Sequence, residues 1–491
     1  MKTYPLNETQ LGMFLEWSGD HASTQYVIDY EYVFPLSVDG MRLEKAIRAF
    51  VDANPVHRTR FLDQDGEVCQ YVDPSIEIPY VHRKMSDEEY RQLVATFPRP
   101  FDLVSEPLCR FTFVTTPTAF HLLFEISHLI ADGTSISAAL KAVSALYNGE
   151  KVAASDCGTF PEAIEAERES FSSDVYREAK EAAAARFGGK AMTVPACTGE
   201  RVKGERVKGA KDFLEVSVPV DREGIEQYCR AHELHPNLFF MGIFARVLAL
   251  YANEREAIFY TINHGRQNAH FRETQGLFVR TVPVLGEIAG ERPLIDYFRS
   301  FRLHKAGVYP FTHFCRDLGI KPGWGFVYQD QTLDLRLTLG ASVSTARWLM
   351  SGGASEMPVF QVMGEPHNYL LRLSAAVGRY DETFLKGFAE RSATLIANVL
   401  RVDGSTPLRN VPVLSADELK EVERLSRGEE LEYDREKTFV NLFREQAAAQ
   451  PSHVAVVDCE SSLTYGELDA QSDALAAKLV SLGVKPAGSS G

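Results

Sequence analysis

The run Ser127-His128-Leu129-Ile130-Ala131-Asp132-Gly133 holds the residue types in this 491-residue chain best suited to moving a proton. An imidazole with an ordinary pKa of about 6.5 takes up or releases a proton near neutrality, which suits acyl transfer to an amine or hydroxyl. The same run also reads as a satisfied histidine at a strand end followed by common Asp-Gly turn chemistry, so its surroundings must decide. No rival apparatus appears: the sequence has no Gly-x-Ser-x-Gly elbow, no Gly-x-x-x-x-Gly-Lys phosphate loop and no His-Glu-x-x-His zinc site. His82, His121, His232, His235, His264 and His270 fit no ligand spacing, so neither a metal nor a permanently bound cofactor is expected.

The elements around the run set its position. Alternation at 120–126 puts Phe120, Leu122, Phe124 and Ile126 on one strand face, opposite His121, Leu123, Glu125 and Ser127. A strand is expected at 109–115. Earlier, Leu43, Ile47, Phe50 and Val51 mark a helix at 41–53 that Asn54-Pro55 stops. After the Asp132-Gly133 turn, Ile136, Ala139, Leu140, Val143, Leu146 and Tyr147 form a helical stripe. Strand, polar turn and helix in succession present the intervening side chains at an element end, where sites commonly form.

A helical stretch at 160–187 closes this half. The Gly-rich basic segment 188–211 repeats Glu-Arg-Val-Lys-Gly at Glu200 and Glu205; it is either a docking patch for an acidic partner or a solvated loop between two lobes. Beyond it come a strand pattern at 213–220, helices to 251, a strand at 257–262 ending in Asn263-His264-Gly265-Arg266, and a strand at 275–284. A helix at 381–402 is followed by a mixed, acidic linker at 403–434 with a short helix at 416–425. The rest, from 438 to 485, is too small to stand as a domain and looks cut off.

Single cores stop growing near 250 to 300 residues, so this length implies more than one lobe. A hydrophobic fraction of 45% and a charged fraction of 24% are ordinary for globular chains. The net charge of -15 disfavours nucleic acid and anionic membrane surfaces as partners. Seven scattered cysteines, none in a Cys-x-x-Cys pair, read as buried thiols. The N-terminus lacks the apolar stretch of a signal peptide, and the segment 238–251 carries Arg246 and falls short of the roughly 18 residues a membrane span needs. A soluble, cytoplasmic monomer is expected.

Ser127 to Gly133 matches a His-His-x-x-x-Asp-Gly motif except at its first position. Pro5-Leu6, Gln10-Leu11-Gly12-Met13 and His57-Arg58-Thr59-Arg60-Phe61 precede it. Gly265-Arg266, Gly276-Leu277-Phe278-Val279-Arg280-Thr281 and Tyr309-Pro310-Phe311 follow. In these motifs and their order, over residues 1–425, the chain resembles the condensation domains of nonribosomal peptide synthetases, within the wider chloramphenicol-acetyltransferase-like group. Phe443-Arg444-Glu445-Gln446-Ala447, Pro451 and Leu463-Thr464-Tyr465-Gly466-Glu467-Leu468 resemble the start of an adenylation domain.

The resemblance implies an α/β (α+β sandwich) fold of two chloramphenicol-acetyltransferase-like lobes in a V with a central substrate tunnel. It implies an N-lobe at 1–190, a C-lobe at 191–425, a linker at 426–437, and at 438–491 a truncated adenylation fragment that neither binds ATP nor activates an amino acid. The implied activity is amide-bond formation. Donor and acceptor carrier proteins bring an acyl or peptidyl thioester and an aminoacyl thioester on phosphopantetheine arms, with acyl-coenzyme A as another donor. His128 is the implied catalytic residue, orienting the amine or removing its proton. Asp132 is implied to pair with Arg58 and so fix the loop, supported by Ser127 and by Gly133, whose lack of a side chain permits close backbone approach. Gly276, Phe278, Arg280 and Thr281 are implied to shape the tunnel or the bridge between lobes.

Two positions depart from the pattern. Ser127 replaces the first histidine, as in terminal cyclising relatives of fungal synthetases, and Arg280 replaces the usual asparagine. Two further readings stay open. The few residues before the first motif fit a starter condensation domain that acylates the first amino acid with a fatty acyl group, and the fold also occurs as a non-catalytic docking platform.

Overall fold

The computed structural model describes residues 2–64, 66–152, 157–195, 213–302, 319, 323–329, 334–349, 358–376, 380–428, 432, 434–459 and 461–484. The chain divides into two compact units, Met1–Ser415 and Ala416–Gly491.

The first lobe of unit one runs β1 (Tyr4–Pro5), α1 (Glu8–Gly19), β2 (Val27–Phe34), α2 (Gly40–Ala53), β3 (Thr59–Gln64), β4 (Glu67–Val72), β5 (Tyr80–Lys84) and α3 (Asp87–Val94). It continues with β6 (Cys109–Thr115), β7 (Phe120–Ser127), α4 (Gly133–Asn148), α5 (Phe160–Ser170) and α6 (Asp174–Phe187). Strand β7 lies inside a sheet between β2 and β6, antiparallel to both, and β5 adds to β6 in parallel. Both edges of β7 are therefore paired. Leu122 and Ile126 join the core under α2 and α4, while His121 and Leu123 are buried on the opposite side with Tyr90 of α3. The stripes of α2 and α4 meet in that core through Leu43, Ile47, Ile136 and Leu140. Asp39 caps α2 by accepting from the Met41 and Arg42 amides. The helical stretch expected at 160–187 is two helices, because the Ser173 hydroxyl accepts from Tyr176 N–H and starts a new one.

The second lobe comprises β8 (Phe213–Asp221), α7 (Arg222–Ala231), α8 (Pro236–Ala252), β9 (Glu256–Asn263), β10 (Arg280–Glu287) and α9 (Leu294–Arg299). Next come β11 (Gly325–Gln329), β12 (Arg336–Leu339), β13 (Ser342–Thr345), β14 (Arg347–Trp348), β15 (Val359–Gly364), β16 (Asn368–Ala376) and α10 (Glu382–Val399). A six-stranded sheet in the order β10-β9-β11-β15-β16-β8 packs on α8 and α10 around Phe244, Phe326, Phe360 and Phe388. Leu408 and Val411, expected in a linker, are buried in this core, and Leu294 N–H donates to the Thr406 carbonyl at 2.9 Å.

The expected division at residue 190 does not separate the lobes cleanly. Leu337 and Leu339 of β12 are buried in the first lobe's core, and β14 pairs antiparallel with β2, setting Arg347 opposite Glu31. Alternation along a strand fixes its faces and says nothing of which sheet it joins, so the sequence left this return unseen.

Unit two holds α11 (Ala416–Ser426), α12 (Phe439–Ala449), the antiparallel pair β17 (Val454–Val457) and β18 (Ser462–Thr464), and α13 (Tyr465–Ser481). The division at Ser415/Ala416 places α11 here rather than in the C-lobe, as the expected boundary at 425 had it. Among the described residues no single helix is long and apolar enough to cross a membrane; α7 and α8 pass such a test only as a pair bent by 106°.

Candidate active site

Ser127 ends β7, and its buried hydroxyl accepts from Leu129 N–H at 3.3 Å, turning the chain into a 3-10 turn at His128–Ile130. His128 N–H donates to the Tyr26 carbonyl at 2.8 Å, tying the turn to the residue before β2. The His128 ring is half-buried; its Nδ1 is sealed from solvent and has no hydrogen-bond partner among the described residues. Gln10 of α1 supports the turn from outside by donating to the Leu129 carbonyl at 2.8 Å.

Asp132 closes the turn. Its carboxylate is fully buried, and Oδ1 accepts from Ser135 N–H at 2.9 Å, which caps α4. Oδ2 faces the second half of the chain and accepts from Arg266 Nη1 at 2.7 Å, Phe278 N–H at 2.9 Å and Val279 N–H at 3.3 Å. Burial by itself pushes this carboxyl up. The Arg266 charge and hydrogen bond and the Ser135 and Phe278 amides outweigh it and hold the group below its ordinary pKa. It is therefore a carboxylate at neutral pH, fully engaged in holding structure.

Arg266 emerges just past β9 behind Gly265, whose φ of +67° and approach to the Phe278 carbonyl exclude any Cβ, which would sit 1.8 Å from that oxygen. Its guanidinium is buried and also donates through Nη2 to Ser135 Oγ at 2.8 Å, lying 4.3 Å from the centre of the Phe278 ring. Ser135 Oγ in turn donates to the Gly276 carbonyl at 2.8 Å and accepts from Gly276 N–H at 3.1 Å. Gly276, at φ +153°, leaves no room for a side chain because a Cβ would lie 2.3 Å from the Phe160 ring.

These bonds explain why the strand expected at 275–284 begins only at Arg280: the Gly276, Phe278 and Val279 amides are used by Ser135 and Asp132 instead of a neighbouring strand. Asn7 and Thr9 reinforce the same bridge by donating to the Leu277 and Val279 carbonyls at 3.0 and 3.1 Å. Arg280 pairs with Glu167 of α5 at 2.7 Å and donates to the Phe278 carbonyl at 3.0 Å; Thr281 lies in β10 opposite Ile262. The charge at position 280 is thus neutralised within the protein.

Arg58 does not pair with Asp132. It ends the 3-10 turn that follows α2, so its guanidinium runs back along that helix to Asp52 at 2.6 Å and the Val51 carbonyl at 3.4 Å. Asp132 faces the bridge on the other side, where Arg266 meets it. Sequence reasoning noted the Gly265-Arg266 pair without giving it a role. The available signal was a charged residue directly after an apolar strand and a glycine. Ser135 and Asn7 were missed, and Gln10 was noted in a motif without a role, because their partners lie more than a hundred residues away.

Tyr309-Pro310-Phe311, the 200–209 repeats, Cys197 and Cys315 lie outside the described residues. Of the other cysteines Cys109 and Cys229 are buried, whereas Cys459 is exposed, contrary to expectation. Among the described residues no cluster of His, Cys, Asp and Glu is fit to hold a metal.

Two mixed lobes joined through a strand-to-helix turn that carries a histidine define a chloramphenicol-acetyltransferase-like fold. The profile of the condensation-domain family matches residues 1–322, and the chain belongs to that family. It is 23% identical over 98% of its length to gramicidin S synthase 2 of Aneurinibacillus migulanus and 25% identical over 99% to tyrocidine synthase 2 of Brevibacillus parabrevis. It spans only 11% and 14% of those enzymes. Among solved structures, a variant of the starter condensation domain of rhizomide synthetase in complex with C8-CoA superposes with a TM-score of 0.69 at 18% identity, covering 84% of this chain and 98% of that one. The first condensation domain of the calcium-dependent antibiotic synthetase gives 0.68 at 18%, covering 84% and 99%.

Proposed function

We propose that this chain catalyses amide-bond formation between a donor acyl or peptidyl thioester and the amine of an aminoacyl thioester, both carried on the phosphopantetheine of carrier proteins. The observation that carries the reading is the geometry of the His128 turn, held on one side by Gln10 and on the other by Asp132, whose carboxylate is clamped across the lobes. The amine nitrogen attacks the thioester carbonyl carbon; a C–N bond forms, the C–S bond breaks, and the sulfur leaves as a thiol carrying the proton lost by the amine. With Nδ1 sealed inside, Nε2 is the His128 nitrogen left to meet that amine, as acceptor of its proton or of an orienting hydrogen bond. Holding both thioesters in register contributes several kcal/mol through proximity. Asp132 and Arg266 act through the loop and are positioning residues.

Residues 438–491 we read as the opening of an adenylation domain, a reading supported by alignments with peptide synthetases that extend over 96–99% of the chain. Acyl and aminoacyl pantetheine thioesters loaded onto donor and acceptor carriers, incubated with the chain and followed by intact-protein mass spectrometry, test the activity. Amide on the acceptor carrier supports it. A folded chain that binds both loaded carriers and yields no product with any donor would instead favour a docking platform.

A further inference from the structure

Arg280 stands where its motif usually has asparagine, and its buried guanidinium serves two sets of partners at once. Along one edge Nε and Nη2 donate to the two carboxylate oxygens of Glu167 on α5, at 3.3 and 2.7 Å. Nη1 donates to the Phe278 and Val279 carbonyls at 3.0 and 3.2 Å. Asparagine carries no charge and a single nitrogen, and could not serve Glu167 and both carbonyls together.

The Phe278 carbonyl and the Val279 N–H are the two ends of one planar trans peptide group. With its carbonyl turned to Arg280, the N–H points the opposite way, to Asp132 Oδ2 at 3.3 Å, and the Phe278 N–H meets the same oxygen at 2.9 Å. A cation on the carbonyl oxygen polarises the peptide and strengthens its N–H as a donor. Glu167, Arg280, the 278–279 peptide and Asp132 thus form one continuous chain of hydrogen bonds that ends beneath the turn bearing His128.

We propose that Arg280 is a positioning residue for amide formation: it orients the Phe278–Val279 peptide so that two amides hold the Asp132 carboxylate, and through it the His128 turn, in the reactive arrangement. The inference rests on the condensation reading and adds to it a residue that acts only through the backbone. Glu167 balances the charge of the buried cation and does not itself orient the peptide. A plain ion pair between α5 and the bridge would lose the same function whichever partner was removed, and would lose little once both were.

The double variant Arg280→Met/Glu167→Gln tests this in the full chain, because removing both charges leaves neither buried alone and should keep the melting temperature close to native. In amide formation between loaded carriers its kcat should fall at least about tenfold with KM for both carriers unchanged. Hydrogen exchange in peptides spanning 276–280 should quicken about tenfold. Glu167→Gln alone leaves Arg280 its two carbonyls and an amide oxygen, and should keep kcat within about threefold of native. Native kcat or native exchange in the double variant would overturn the proposal, and so would a tenfold loss in Glu167→Gln, since the pair would then act through its charge alone. Faster exchange in the variant, with no amide formed even by the native chain, would keep the peptide assignment and defeat the condensation reading instead.

Discussion

Two of the carboxylates buried in the first lobe, Asp132 and Glu31, are each met by an arginine from the second half of the chain. Asp132 meets Arg266, whose side chain is 3% exposed, together with three backbone amides. Glu31 meets Arg347, whose side chain is 65% exposed, together with the Tyr90 hydroxyl and His121 Nδ1. The first clamp is dry and lies beneath the His128 turn; the second pins the β14 return to the sheet edge with one partner in water. Equal formal chemistry therefore serves two ends: orientation of the His128 loop in one place, attachment of a strand in the other.

Removing the dry partner should cost most. Arg266→Met strands the Asp132 charge in the interior and is expected to lower unfolding free energy by about 3–5 kcal/mol in urea titrations. Arg347→Met should cost only about 1 kcal/mol, because Tyr90 and His121 remain on Glu31 and the lost cation was largely solvated. Equal losses would erase the distinction between the two clamps.

Acid separates the clamps from the rest of the lobe. Burial raises Glu31, but His121, Tyr90 and Arg347 outweigh it and bring it to about 2, so its contribution is present above the unfolded value of 4.5 and lost as pH falls toward 2. His57 is lowered from 6.5 to about 4, so the unfolded chain binds its proton first; stability is complete above pH 6.5 and declines by about 3 kcal/mol toward pH 4. Unfolding measured between pH 7 and 4.5 should therefore show a decline that His57→Gln removes and Glu31→Gln leaves in place. The smallest effect belongs to Arg58→Met. Its partner Asp52 is 65% exposed, and the loss should stay within about 1 kcal/mol, with amide formation within threefold of the native rate. A collapse of activity there would restore the Arg58–Asp132 pairing, in whose place the structure has Arg266 on Asp132.

Much of this frame was legible because it is local. The stripes of α2 and α4 and the strand ending at Ser127 follow from periodicity, and the turn at Asp132-Gly133 from its residue types. What stayed hidden is non-local. Arg266 reaches Asp132 across 134 residues, β14 joins the sheet of the opposite lobe, and the Gly276–Val279 segment gives its amides to side chains rather than to a strand. The alternation of β7 told which residues share a face, but not that both faces are buried, one in the core under α2 and α4 and the other beside Tyr90 of α3. No spacing rule encodes which distant partner completes a carboxylate, so the Asp132 clamp had to be seen.

The most direct test of the catalytic assignment is the single-turnover rate of amide formation between loaded donor and acceptor carriers, measured for the native chain and for His128→Ala at matched melting temperature. The expected result is a loss of at least about a hundredfold in the variant with unchanged carrier binding. A His128→Ala chain that forms amide at the native rate would contradict it.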